Sequence, residues 1–224
     1  MAFLLHIDTA VQSPSVCLSS DLTILGEKVN PSERESATWL HVAIKELLQE
    51  NKLQVQELNA ISISAGPGSY TGLRVGMAAA KGLCFAYKIP LISINTLQLM
   101  AASFSNPTTE LLCPMIDARR MEVFTALYER SLNEVMKPIN LILDESSFQT
   151  ELEKHSISFF GNGSEKAKSI IHHQNAVFVD VSTSASDMVG LALNMFEAEQ
   201  FSDLAYTEPF YIKDFHSSFS KKNY

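Results

Sequence analysis

Residues 64–76, SAGPGSYTGLRVG, constrain this chain more than any other stretch. They follow Ala60-Ile61-Ser62-Ile63, which alternates as a strand does, and they run into 73–87, a long apolar segment without proline that reads as a helix. A strand, a Gly/Ser/Thr-rich turn and a helix together aim backbone N–H groups at an anion. Gly66 and Gly68 flank Pro67, so free backbone alternates with one fixed φ, and Ser69 and Thr71 carry oxygens that cap the helix. A plainer reading is equally open, a tight helix entry whose glycines permit the bend. Neither G-x-G-x-x-G nor the lysine-bearing P-loop is present, so no nucleotide fingerprint decides between the two.

Around this unit the pattern is mixed α/β. Strands are expected at 3–8, 15–20 and 22–29, and their short links imply an antiparallel meander. Asp8, Thr9, Ser13 and Ser15 make a polar hairpin beyond the first strand; it can hold phosphate or a metal-bound water, or bond its own backbone. Ser32 or Ser36 is available to cap a helix over 37–49, whose Trp39, Leu40, Ala43, Ile44, Leu47 and Leu48 recur at helical spacing. In the helix after the turn, Gly72, Gly76 and Ala80 recur every four residues, so this face either packs on its own sheet or lies flat against another subunit. Strand 91–94 and helix 96–103 add parallel crossovers, and 105–109 reads as a linker.

Beyond it a second series is expected: strands 111–117, 122–128 and 135–143, a helix over 145–155, strand 157–160, the turn Gly161-Asn162-Gly163-Ser164, helix 165–172, strand 177–181 and helix 185–199. Arg119 and Arg120 in the first hairpin either bind an acidic group or cap a solvated tip. The lobes implied are 1–105, rejoined at about 205–224, and 106–204. Residues 209–212 read as extended, followed by a loose polar end.

A formal net charge of −8 argues against this chain alone gripping nucleic acid, because phosphate contacts require a basic surface. The first residues are too short and too soon acidic for a signal peptide, and no apolar run reaches membrane-span length, so a cytoplasmic protein is expected. Cys17, Cys84 and Cys113, widely spaced in apolar contexts, fit reduced core residues. Zinc spacings, H-E-x-x-H and G-x-S-x-G are all missing. His172 and His173, as helix neighbours, point about 100° apart and cannot share a metal.

The assembled motifs resemble one family. Leu5-His6-Ile7-Asp8-Thr9-Ala10 with Ser15-Val16 is similar to the first strands of the two-lobed ASKHA (actin-like ATPase, RNase H-like) fold, with mixed sheets flanked by helices. GPGSYTGLRVG resembles the signature of the TsaB (YeaZ) family, and the likeness continues through Lys81-Gly82-Leu83, Ser93-Ile94-Asn95-Thr96-Leu97, Asp117-Ala118-Arg119-Arg120, Gly161-Asn162-Gly163 and Pro209-Phe210-Tyr211-Ile212. The resemblance implies a scaffolding subunit that pairs with a catalytic TsaD-like paralogue in adding threonylcarbamoyl to the adenosine next to the anticodon of tRNA. In that paralogue a His-x-x-x-His helix binds the metal; the matching positions here are Thr96 and Met100, which cannot replace imidazoles. No catalytic residue, metal or required cofactor is therefore expected, with ATP or ADP at the complex, a TsaE-like ATPase as further partner, a homodimer in the paralogue's absence, and tRNA reached through the complex. The resemblance also marks Asp8, Gly66, Gly68, Ser69, Gly161 and Gly163 as candidate nucleotide contacts, and Trp39, Gly72, Gly76 and Ala80 as candidate partner contacts. The alternatives are an independent ATPase or sugar-kinase-like enzyme of the same fold and, last, a glycoprotease.

Overall fold

The computed structural model describes residues 1–11, 13–31 and 36–212. The expected cap at Ser32, the side chain of Ser36 and the tail beyond 212 lie outside the described residues. Strands β1 (Phe3–Asp8), β2 (Ser15–Ser20) and β3 (Thr23–Val29) form the antiparallel meander. Parallel to β1 run β4 (Ala60–Gly66) and then β5 (Leu91–Asn95), in the order β3-β2-β1-β4-β5. Parallel neighbours need crossovers, and helices α1 (Ser36–Glu50) and α2 (Tyr70–Tyr87) supply them.

Because side chains alternate along a strand, β1 feeds two cores. Leu5 and Ile7 join Leu40, Leu47, Ile61, Ile63, Met77 and Ala80 beneath α1 and α2. Leu4 faces the other way, with Ala60, Ile92, Ile94, Leu99, Met188 and Ala192.

The second half repeats the plan. Strands β6 (Leu111–Asp117), β7 (Glu122–Glu129) and β8 (Glu134–Ile142) are an antiparallel meander, and β9 (Ile157–Phe160) and β10 (Ala176–Phe178) add in parallel beyond β6, giving β10-β9-β6-β7-β8. The two lobes thus share one sheet layout. Between the sheets lies α3 (Thr96–Ala102): its Leu99 enters the first lobe's cluster, while Leu97, Met100 and Ala101 pack with Leu112, Ile116, Tyr128 and Phe160 of the second.

Several elements are shorter than the sequence pattern implies. The helix expected over 145–155 is reduced to α4 (Gln149–Leu152), because the Asp144 carboxylate accepts from the Ser146 amide and from the hydroxyls of Ser146 and Ser147, holding that segment as a turn. Helix α5 covers Ser164–Lys168 rather than 165–172. The last helix starts as a 3-10 turn, Ala185–Met188, before α6 (Val189–Glu197). This unit packs on the first sheet, with the Ala185 amide donating to Ser15 Oγ at 2.8 Å, so the chain is back on the first lobe well ahead of 205.

His6, fully buried on the same face, bridges two serines: Nδ1 lies 2.7 Å from Ser62 Oγ and Nε2 2.9 Å from Ser19 Oγ. Burial lowers its pKa from 6.5 to about 3. The folded value lies below the unfolded one, so this contribution to stability is complete above pH 6.5 and is lost as pH falls toward 3. His6→Gln keeps a donor and an acceptor for the two serines, and its urea midpoint is predicted to fall less steeply between pH 7 and pH 5 than that of the parent.

Candidate functional site

The turn between β4 and α2 is closed from within. Ser69 caps α2 as expected, its Oγ accepting from the Gly72 amide at 3.3 Å, whereas Thr71 is exposed. Two further amides of the turn also have partners. Gly66 N–H donates to Thr96 Oγ1 at 3.1 Å and Ser69 N–H to the Ala10 carbonyl at 2.7 Å. The glycines are needed for close approach. A Cβ on Gly68 would strike the Ala10 carbonyl, and one on Gly72 the Thr9 carbonyl. At Gly66, φ is 114° and a Cβ would lie 2.6 Å from the Phe210 carbonyl oxygen. Phe210 itself donates its amide to the Ala65 carbonyl at 2.6 Å, so the segment expected to be extended seals the turn from outside. Of the two readings open at Gly66, Gly68 and Ser69, the geometry matches the tight helix entry, with the loop after β1 packed against it.

Asp8 stands at the end of β1 with 1% exposure. Its Oδ1 accepts from Ser64 Oγ at 2.6 Å and from the Ala10 amide at 2.9 Å, while Oδ2 has no hydrogen-bond partner. Burial raises its pKa, two hydrogen bonds oppose the rise, and the charge of Asp187 adds to it. Asp187, at the start of the 3-10 turn, is itself raised by burial and by Glu27. Glu27 in turn accepts from the Ser186 amide at 3.0 Å, so the turn that carries Asp187 is clamped over this end of the sheet. Among the described residues no three His, Cys, Asp or Glu side chains are grouped so as to hold a metal ion.

The third expected nucleotide contact is filled as well. Gly161, at φ 92°, approaches the end of the Met100 side chain and the Met115 carbonyl, and Gly163 lies against Ile116 and Val123. Thr96 and Met100, at the positions of the paralogue's histidines, are a backbone acceptor and a core side chain.

The partner stripe is also corrected. Gly72, Gly76 and Ala80 are buried: Gly76 lies against the Thr9 side chain and Ile63, and Ala80 is in the core. Trp39 is half-buried against the same core. The surface that α2 does present carries Arg74, Ala78, Gly82 and Phe85, where Phe85 is 80% exposed and a Cβ on Gly82 would meet nothing. Phe85 comes nine residues after Gly76, two and a half turns, and so lies on the opposite side of the helix. That arithmetic was available in the sequence, and the small-residue repeat drew attention to the wrong face. Beside α1, a shallow cavity of about 260 Å³ is lined by His41, Ile44, Lys45, Leu48, Val55 and Leu83, and Val42 stands exposed on the helix.

Fold and site define a two-lobed α/β protein of actin-like layout, two sheets of one strand order, in which the Thr9–Ala10 backbone packs against the signature turn. The family model described as TsaD, tRNA N6-adenosine threonylcarbamoyltransferase, matches residues 23–216. The tRNA threonylcarbamoyladenosine biosynthesis protein TsaB of Escherichia coli is 28% identical over 94% of this chain and 94% of its own length. TsaB of Bacillus subtilis is 28% identical over 75% of this chain and 74% of its own length. A Pseudomonas aeruginosa crystal structure, titled as an uncharacterized protein with similarity to peptidase YeaZ, superposes with a TM-score of 0.84 at 22% identity, covering 95% of this chain and all of that one. The chain belongs to the TsaD family and, within it, to the TsaB/YeaZ members. No helix among the described residues is long and apolar enough to cross a membrane.

Two outcomes follow from the closed turn. Gly72→Ala drives a methyl into the Thr9 carbonyl and should cost about 2–3 kcal/mol in urea unfolding. Asp8→Asn removes a carboxylate whose folded pKa is raised, so the parent is penalised as pH rises; the variant's stability relative to the parent should improve from pH 4 to pH 8.

Proposed function

We propose that this chain is a non-catalytic subunit of the system that adds threonylcarbamoyl to the adenosine next to the anticodon of tRNA. It docks a TsaD-like catalytic paralogue through the outer faces of α1 and α2. The observation that supports this reading is the packing of the chain's own Thr9–Ala10 backbone against the signature turn, where the Ala10 carbonyl takes the Ser69 amide. The chemistry then belongs to the partner, and the chain needs no cofactor of its own. ATP or ADP acts at the complex, where a TsaE-like ATPase joins. The exposed Phe85 on α2 and Val42 on α1 are the kind of apolar surface that a partner covers. The same surface pairs two copies when the paralogue is absent. The work is cytoplasmic, and tRNA is held mainly by the partner, in keeping with the net charge of −8.

One observation favours a second reading, an independent ATPase or sugar-kinase-like enzyme: the free Oδ2 of Asp8. That reading requires ATP turnover by the isolated chain, abolished in Asp8→Ala.

Ala80→Asp cannot probe the partner surface, since it would bury a charge in the core. Phe85→Asp can. It should leave circular dichroism and the urea midpoint unchanged and weaken calorimetric affinity for the TsaD-like paralogue at least tenfold, as expected for an exposed aromatic anchor. Unchanged affinity would remove α2 from the interface.

A further inference from the structure

Arg119 and Arg120 sit at the tip of the β6–β7 hairpin, and both are exposed. Neither guanidinium has a hydrogen-bond or ion-pair partner among the described residues. The adjacent Asp117 feels the charge of Arg119 but makes no ion pair with either guanidinium. Its Oδ1 is held by Lys166 Nζ at 2.7 Å and by the Arg119 amide at 2.6 Å. The tip therefore presents two exposed guanidiniums that no side chain clasps, on a chain whose formal net charge is −8.

The backbone beneath the two arginines is fixed from several sides. Asn162 Oδ1 accepts the Asp117 amide at 2.9 Å, the Ala118 amide reaches the Glu122 carbonyl at 3.1 Å, and the Glu122 amide reaches the Arg119 carbonyl at 3.1 Å. Both arginines have positive φ, 68° and 51°. Hairpins usually place Gly, Asn or Asp at such positions, because the Cβ of other residues crowds the backbone there. A tip that had only to turn would do so more cheaply with those residues. The energetic cost points to a use for the two guanidiniums, which match phosphate in a fork geometry that lysine lacks.

We propose that Arg119 and Arg120 contact backbone phosphates of the tRNA in the assembled complex. This rests on the functional reading above and adds to it a direct RNA contact by this chain. A hairpin tip encloses nothing, so it would touch a free nucleotide from one side alone. A polyanion needs no enclosure, because its successive phosphates can each meet a guanidinium. Two contacts add little to an acidic chain by itself, and they matter once a partner holds the same RNA.

The test uses the complex of the full chain with the TsaD-like paralogue of the same organism and measures tRNA binding by fluorescence anisotropy across a salt series. Arg119→Ala/Arg120→Ala should lower tRNA affinity several-fold. It should also reduce the slope of log affinity against log salt by roughly 1.5–2, the amount expected for two lost phosphate contacts. Calorimetric affinity for the paralogue and for ATP should be unchanged, and Arg119→Lys/Arg120→Lys should recover much of the slope. If tRNA affinity and slope are unchanged, the proposal is wrong. Loss of paralogue binding in the alanine variant would make the tip a protein contact, and loss of ATP affinity would make it a nucleotide contact; either result overturns the RNA assignment. If the parent chain forms no complex, or the complex binds no tRNA, the functional reading itself fails together with this one.

Discussion

The structure depends on one close approach, the seating of the Thr9–Ala10 loop against the turn and first helical residues that follow β4. The Ala10 carbonyl accepts the Ser69 amide, and both Gly68 and Gly72 lack the Cβ that would collide with this backbone. Two further links hold the approach from beneath, Asp8 Oδ1 to Ser64 Oγ across the β1–β4 pair and Thr96 Oγ1 to the Gly66 amide from α3. Two strands, β1 and β4, and two helices, α2 and α3, thus converge on one point. The signature glycines admit this close approach of one backbone segment to another.

The second organising element is α3. It is short, yet it supplies Leu99 to one lobe and Leu97, Met100 and Ala101 to the other. With a 3.6-residue repeat, a seven-residue helix can present apolar side chains all round, and such a helix is stable only when covered on every side. Thr96 and Met100 tie this helix in place, the first through the Gly66 amide and the second through the core of the second lobe. The first lobe is completed by the 3-10 turn and α6, which return from the second lobe to cover the face of β1 that carries His6 and Asp8.

Much of this was legible in the residues. Strands β1, β2 and β4 through β7, and helices α1 and α2, follow from alternation, helical spacing and turn chemistry, because those elements are long or sharply bounded. The repeat of the sheet order was not legible, since the two halves share topology without sharing sequence, and strand order is set by long-range pairing. The short α4 was overcalled because local Asp144–Ser146 hydrogen bonds compete with the helix and propensity does not register them. At the site, the residue types were identified but their direction was not. Gly72, Gly76 and Ala80 could face a sheet or a partner, and the choice rests on where Thr9 and Ile63 lie. Asp8 reads as a phosphate or metal contact from its position at the end of a strand; its enclosure depends on residues 184–188, far away in the chain.

The central claim is that this chain binds a catalytic paralogue and performs no chemistry alone. The most direct measurement is a calorimetric titration of the chain against the TsaD-like protein of the same organism, with and without ATP, alongside an ATP turnover assay of the isolated chain. The account predicts tight binding and no intrinsic turnover. An absence of binding, with ATP hydrolysed by this chain alone, would contradict it and move the chemistry back to Asp8.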